Sequence, residues 1–152
     1  MRSTGILILL FIVISCYADD DPVAAKIANS QVSAILNAIE TKNQTELMTL
    51  FSTTTEDLGN LEKFIDIMQG LELKVWSSKT RERSIHSGIG IAGKASGDMD
   101  LIKSTESSTG WTISSMKFLI PNRPGRYSKL PRFVYCDKGL FKCFIDILHK
   151  NF

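Results

Sequence analysis

At Gly70 the hydrophobic pattern of this chain changes period, and that change limits the folds open to it. Before Gly70, apolar residues recur at helical spacing: Ala28, Val32, Ile35 and Ile39 stand at i, i+4, i+7 and i+11. After Gly70, Leu71, Leu73 and Val75 alternate with polar neighbours, as in a half-buried strand. Helices therefore come first and strands follow, an order that suits an α+β domain with an antiparallel sheet.

Residues 23–52 read as a helix with Pro22 in its first turn and a polar interruption at "TKNQTE". Asn43 caps the continuation, with Glu46 completing a capping-box pattern, and Leu47, Leu50 and Phe51 resume the stripe. A second helix is expected in "STTTEDLGNLEKFIDIMQG", with Leu58, Leu61, Phe64, Ile65 and Met68 on one side. Thr54 or Thr55 is its N-cap, Glu56 and Asp57 favour its first turn, and Gly70 ends it. Four strands follow. Leu71–Val75 runs into an exposed end, "SSKTRER"; Ile85, Ile89 and Ile91 share a face of the next. "SGDMD" reads as a turn centred on Gly97-Asp98, Met99–Ser107 as the third strand, "STG" as a turn and Trp111–Ile120 as the fourth. In that last strand Trp111 and Ile113 have one parity, and Met116, Phe118 and Ile120 the other. A switch at Ser114-Ser115 predicts a β-bulge. Gly88, Gly90 and Gly93 are further points where the sheet can bend.

The ends differ from the middle. Residues 1–18, "MRSTGILILLFIVISCYA", have an early Arg2, an apolar run from Ile6 to Ile14, and Cys16 and Ala18 at the minus-three and minus-one positions of a cleavage site. This is the pattern of a secretory signal peptide, too short for an ordinary membrane span. "VISC" also resembles a bacterial lipobox that would lipidate Cys16; an uncleaved anchor is the remaining alternative. Cleavage leaves one domain's length of chain, secreted, with no membrane span after it. Of the three cysteines, Cys136 and Cys143 remain. In an oxidising compartment such a pair suggests a disulfide, provided Cys136 lies outside the helix that holds Cys143. Asn43 opens "NQT", an N-glycosylation sequon, a role that competes with helix capping. The full chain carries a net +2 unevenly: residues 19–70 hold three Lys against nine Asp/Glu, and residues 71–152 hold fourteen Lys/Arg against seven. Complementary surfaces of one domain explain that better than a dedicated anion site. The segment "PNRPGRYSKLPRF" is basic and extended, with three of the four prolines. It is a linker or a contact for an anionic polymer. Beyond it, Leu140, Phe141, Phe144, Ile145, Leu148 and Phe152 form a helical stripe that must be buried, against its own sheet or on a second subunit.

Taken together, the interrupted helix at "AIETKNQTELMTLFS", the short helix "LEKFIDIMQGL" and the late strand "GWTISSMKF" resemble the nuclear transport factor 2-like, cone-shaped or SnoaL-like fold, and within it the small secreted nematode domains. The resemblance covers roughly residues 24–120. With the leader and the tail read above, the chain divides into 1–18 (signal), 19–120 (the cone-like domain) and 121–152 (basic tail and C-terminal helix), and the resemblance does not explain the last of these. The resemblance implies helices held in a strongly curved sheet around a conical cavity, used by some members for acid–base catalysis and by others for binding.

The residues themselves supply no catalytic, cofactor or metal pattern. "GIGIAG" lacks the strand–loop–helix context of a dinucleotide fingerprint. His86 has the parity opposite to Ile85, Ile89 and Ile91: it faces outward if those pack on the helices, and faces the cavity as a candidate general base if they do not, with no acidic partner indicated beside it; His149 sits at an exposed helix end. Asp98, Asp100 and Glu106 are on or near strands, where paired carboxylates could make a glycosidase-like or isomerase-like site, but Asp98 falls in a turn and Asp100 on a solvated face; Asp66 lies on a helix surface. Trp76 and Trp111 could line a ligand cavity, but sheet aromatics of this kind are more often core. The expectation is a secreted, non-enzymatic binding domain whose partner is a protein or a small apolar ligand. A carrier or enzyme using the cavity, and a self-associating homodimer, are the alternatives.

Overall fold

Asp21 opens the first helix, α1 (Pro22–Glu40). Its carboxylate accepts from the backbone N–H groups of Val23 and Ala24, and Pro22 sits where an N–H would go unused. The Thr80 hydroxyl also donates to Asp21, and this bond above all holds the Asp21 carboxyl below its ordinary pKa. The computed structural model describes residues 20–92, 94–120 and 132–151. The leader with Cys16, Gly93, the basic segment 121–131 and Phe152 lie outside the described residues. Among those described, no helix is long and apolar enough to cross a membrane.

The interruption after α1 is real. Asn43 Oδ1 accepts from Glu46 N at 3.1 Å and starts α2 (Gln44–Leu50). The box closes on one side only, because Glu46 accepts from the Ser108 hydroxyl instead of reaching back. The helical stretch before Gly70 is two pieces, α3 (Thr55–Leu58) and α4 (Leu61–Met68). Splitting them rotates Leu58 out of the expected stripe, and it is exposed, whereas Leu61, Phe64, Ile65 and Met68 are buried.

Five antiparallel strands follow in sequential order: β1 (Leu73–Arg81), β2 (Ser84–Ile91), β3 (Ala95–Lys103), β4 (Trp111–Ile120) and β5 (Arg132–Cys136). Two differ from the sequence reading. "SGDMD" is no turn: β3 starts at Ala95, and the β2–β3 reversal is closed by Lys94 N donating to Ile91 O at 2.9 Å. Gly97 is a glycine for want of space, since a Cβ there would overlap the Lys117 carbonyl and crowd Phe118 Cα. The other difference is β5, a fifth strand paired with β4 from Met116↔Cys136 to Ile120↔Arg132, where only an extended basic segment was expected. The bulge in β4 lies where the parity switch puts it: Asp100 pairs Ser115, Leu101 pairs Ile113, and Ser114 is the extra residue.

The helices cover one face of this sheet, α1 on β1 and β2, and the C-terminal helix α5 (Leu140–Asn151) on β4, β5 and α4. From Leu140 to Leu148 the terminal stripe is thus buried within its own chain. Phe51, Phe64, Phe141, Phe144 and Phe118 join the layers, with successive ring centroids 4.6–5.8 Å apart.

Two devices fix α5. Cys136, at the end of β5, is bonded to Cys143 in the helix, with Cα atoms 5.8 Å apart. Asp57, fully buried, takes Thr54 N and Thr54 Oγ1 on Oδ2 at 2.8 and 3.0 Å, and Phe141 N on Oδ1 at 2.9 Å. One carboxylate therefore satisfies the start of α3 and the start of α5. Beside it, Lys142 Nζ lies 2.6 Å from Glu56 Oε1, which raises the Lys142 ammonium above its ordinary pKa. Replacing both Cys136 and Cys143 by Ala is expected to lower stability by about 2.5 kcal/mol, the chain entropy of the short loop. Urea unfolding with and without the pair measures it.

Candidate functional site

The register sorts the sheet into two faces. Ile85, Ile89, Ile91, Met99, Leu101, Ile113, Met116 and Phe118 face the helices and are buried. Among the described residues, no helix packs on the opposite face. Its large side chains are therefore left in solvent: Trp76 is 52%, Phe133 53% and Tyr135 68% exposed.

Trp76 corrects an expectation. It is not core, because β1 has a bulge between Val75 and Ser77 that puts the indole on the open face. The ring lies over Gly88 and Gly90, where any Cβ would collide with it. These glycines are thus a seat for the ring rather than mere bending points. Trp111, in contrast, is half-buried against the core, with Lys103 Nζ 5.9 Å above its ring.

His86 stands near the middle of the open face, and it does have an acidic partner. β2 and β3 pair so that His86 is directly opposite Asp100, and His86 Nδ1 lies 2.8 Å from Asp100 Oδ1. Ser115 Oγ donates to Asp100 Oδ2 at 2.8 Å, and Asp98 Oδ1 is 3.8 Å from His86 Nε2. Asp98 is therefore a strand residue, not a turn residue. Misplacing the start of β3 hid the pair. The signal was present in "ASGDMDLIK", where Ala95, Gly97, Met99 and Leu101 alternate with Ser96, Asp98 and Asp100.

This cluster is not a nucleophilic triad. There, histidine stands between serine and carboxylate, whereas here Asp100 stands between His86 and Ser115. What it supplies is a fixed imidazole and a carboxylate in a half-exposed polar patch of the open face. On its β5 side, Lys117 Nζ lies 4.2 Å from the Phe133 ring centroid and 5.1 Å from that of Tyr135. Trp76 on β1 and the β5 rings are four strand spacings apart, roughly 19 Å.

The other candidates are apart from this patch. Asn43 is exposed, and its cap uses Oδ1, whereas a glycan attaches to Nδ2, so the two roles fall on different atoms. Asp66 is exposed with Lys42 Nζ 3.8 Å away, and Glu106 and His149 are exposed. Among the described residues, no group of three or more His, Cys, Asp or Glu is placed to hold a metal. One cleft of about 470 Å³ lies between α1, α4 and the start of β1, lined by Leu36, Ile39, Met68 and Leu71 with Glu40 and Glu72 at its mouth. A second, of about 510 Å³, is at the end of the sheet and includes Trp111; His86 and Trp76 line neither.

Fold and site define an α+β domain with a one-sided antiparallel sheet and an aromatic open face. Comparison of the chain with protein-family models, with curated proteins and with solved structures finds no match in any of the three.

Proposed function

We propose that the protein is a secreted binding domain that engages a macromolecular partner through the open face of its sheet. The observation that carries this reading is the exposure of Trp76, Phe133 and Tyr135 around a polar centre. Exposed aromatic rings spread over a surface of this width, with hydrogen-bonding groups between them, are the composition of a binding patch rather than of an inert surface. Secretion is supported by the leader pattern of residues 1–18 and by the disulfide, a bond of oxidising compartments. Asn43 is the glycan acceptor of this reading, set on the helical layer away from the open face. The nuclear transport factor 2-like assignment remains part of the proposal. Helices before an antiparallel sheet support it, and a conical closure of that sheet is what it adds.

Hydroxyl-radical footprinting tests the reading. The mature chain is oxidised in the fluid into which its own cells secrete it, and again after purification and dilution. Trp76 and Tyr135 are expected to be protected in the fluid and reactive when diluted, while Trp111 is unchanged. Equal reactivity in both samples sinks the proposal. Protection that persists in purified protein and rises with its concentration would identify the partner as a second copy. The His86–Asp100 pair favours one alternative, acid–base chemistry on the same face, since Asp100 fixes the ring through Nδ1 and leaves Nε2 as the reactive nitrogen.

A further inference from the structure

The cleft of about 510 Å³ at the end of the sheet lies outside the aromatic patch and has a different chemistry. Its walls come from the β1–β2 hairpin and from the ends of β3 and β4 that flank the β3–β4 connection. Arg81, Glu82 and Arg83 stand on the hairpin, Ile102 and Lys103 on β3, and Trp111 on β4. Three cations and one carboxylate thus share one cleft with an indole.

The charge is not consumed internally. Among the described residues neither Arg81 nor Arg83 makes an ion pair, and Lys103 is engaged only with the Trp111 ring. Three cations gathered in one concavity against the single carboxylate of Glu82 leave a net positive charge, and an anion relieves the repulsion among them. Arg81 ends β1 and Arg83 stands in the two-residue turn after it, so both reach the cleft from the hairpin, while Lys103 reaches it from the end of β3, over the Trp111 ring. The floor is apolar: Trp111, half-buried, packs against the core below it. Clefts of this size suit a small organic molecule rather than a bare ion.

We infer that this cleft binds a small amphiphilic anion, a carboxylate, sulfate or phosphate carried on a flat apolar body. The acid group would sit between Arg81, Arg83 and Lys103, and the apolar body would lie on Trp111. The site does not depend on the sheet-face reading, and the two are separately testable.

The test is an NMR titration of the purified mature chain with naphthalene-2-sulfonate, with 2-naphthalenemethanol as its neutral counterpart and inorganic sulfate as the bare anion. Saturable shifts are expected at the Trp111 indole N–H and at the backbone of Arg81–Ser84, with none at Trp76. The neutral compound should bind about tenfold more weakly or worse, and so should the sulfonate to the Arg81→Gln/Arg83→Gln double variant. Because the hairpin tip is exposed, that variant keeps the wild-type spectrum elsewhere. The inference is overturned if Trp111 does not respond, if the neutral compound binds as tightly, or if the double variant retains full affinity. Inorganic sulfate binding as tightly as the sulfonate would overturn the apolar half and leave a plain anion site. Should the double variant not fold, the neutral and charged probes on the wild-type chain still decide.

Discussion

Replacing Asp57 by Ala is expected to destabilise the protein by about 3 kcal/mol or more, the largest loss we expect from any single side chain that could be removed without opening a cavity in the apolar core. The reason lies in what the carboxylate joins. Its Oδ2 serves Thr54 N and Thr54 Oγ1, its Oδ1 serves Phe141 N, and the group is sealed from water. Hydrogen bonds to a charged group contribute about 1.5–3 kcal/mol each, and leaving a buried donor unmade costs about 1–3 kcal/mol. Alanine removes the acceptor for three donors at once, in two helices 84 residues apart in sequence. Asparagine is expected to do little better: it keeps one acceptor oxygen but turns an NH₂ group toward the donors at the other. The neighbouring Glu56–Lys142 pair is the control. It is more than half exposed, so Glu56→Gln should change stability little. Thermal unfolding of the three variants separates the cases, with Asp57→Ala lowering Tm by roughly 10 °C. A loss no larger than that of Glu56→Gln would show that α5 is held by the disulfide and the phenylalanine contacts alone.

Asp57 also shows where reading the sequence stops. Its place in a helix first turn is legible from local chemistry, as are the stripe of α1, the Asn43 cap and the bulge at Ser114, because each depends on neighbours within about four positions. Its second client, Phe141 N, is not legible, since nothing local to either residue announces the other. The same limit applies to Trp76. Its exposure follows from a bulge in β1 and from two glycines on the adjacent strand, and a lone sheet tryptophan looks like core until that pairing is known. β5 was hidden for another reason: its five residues adjoin a proline-rich basic run whose composition reads as linker, and its pairing with β4 is what makes it a strand. The Cys136–Cys143 bond was legible because spacing and helix geometry together required Cys136 to stand outside the helix.

Gly97→Ala is expected to cost about 3 kcal/mol, and to do so at the place that organises the candidate site. A Cβ at Gly97 would enter the Lys117 carbonyl and come within 3.0 Å of the Lys117 carbonyl carbon and Phe118 Cα. These are backbone atoms of a paired strand, so no side-chain rotation relieves the overlap. β3 and β4 must part or slip, and overpacking against fixed neighbours costs about 1–3 kcal/mol or more. A one-residue slip would turn Asp98 and Asp100 toward the helices and Met99 toward solvent, which the buried face forbids. Separation is the cheaper response, and it loosens the strand on which Asp100 meets both His86 and Ser115. The variant should therefore show two linked effects: a lower unfolding midpoint in urea, and changed ring signals of His86 in folded protein, fourteen positions from Asp100 in sequence and on the neighbouring strand. Gly59→Ala is the matching control, because a Cβ there meets nothing closer than Glu56 O at 4.0 Å, and its stability should stay within about 0.5 kcal/mol of wild type. If Gly97→Ala were as mild as Gly59→Ala, the close approach of β3 to β4 would not hold in solution, and the geometry that places Asp100 opposite His86 would fall with it.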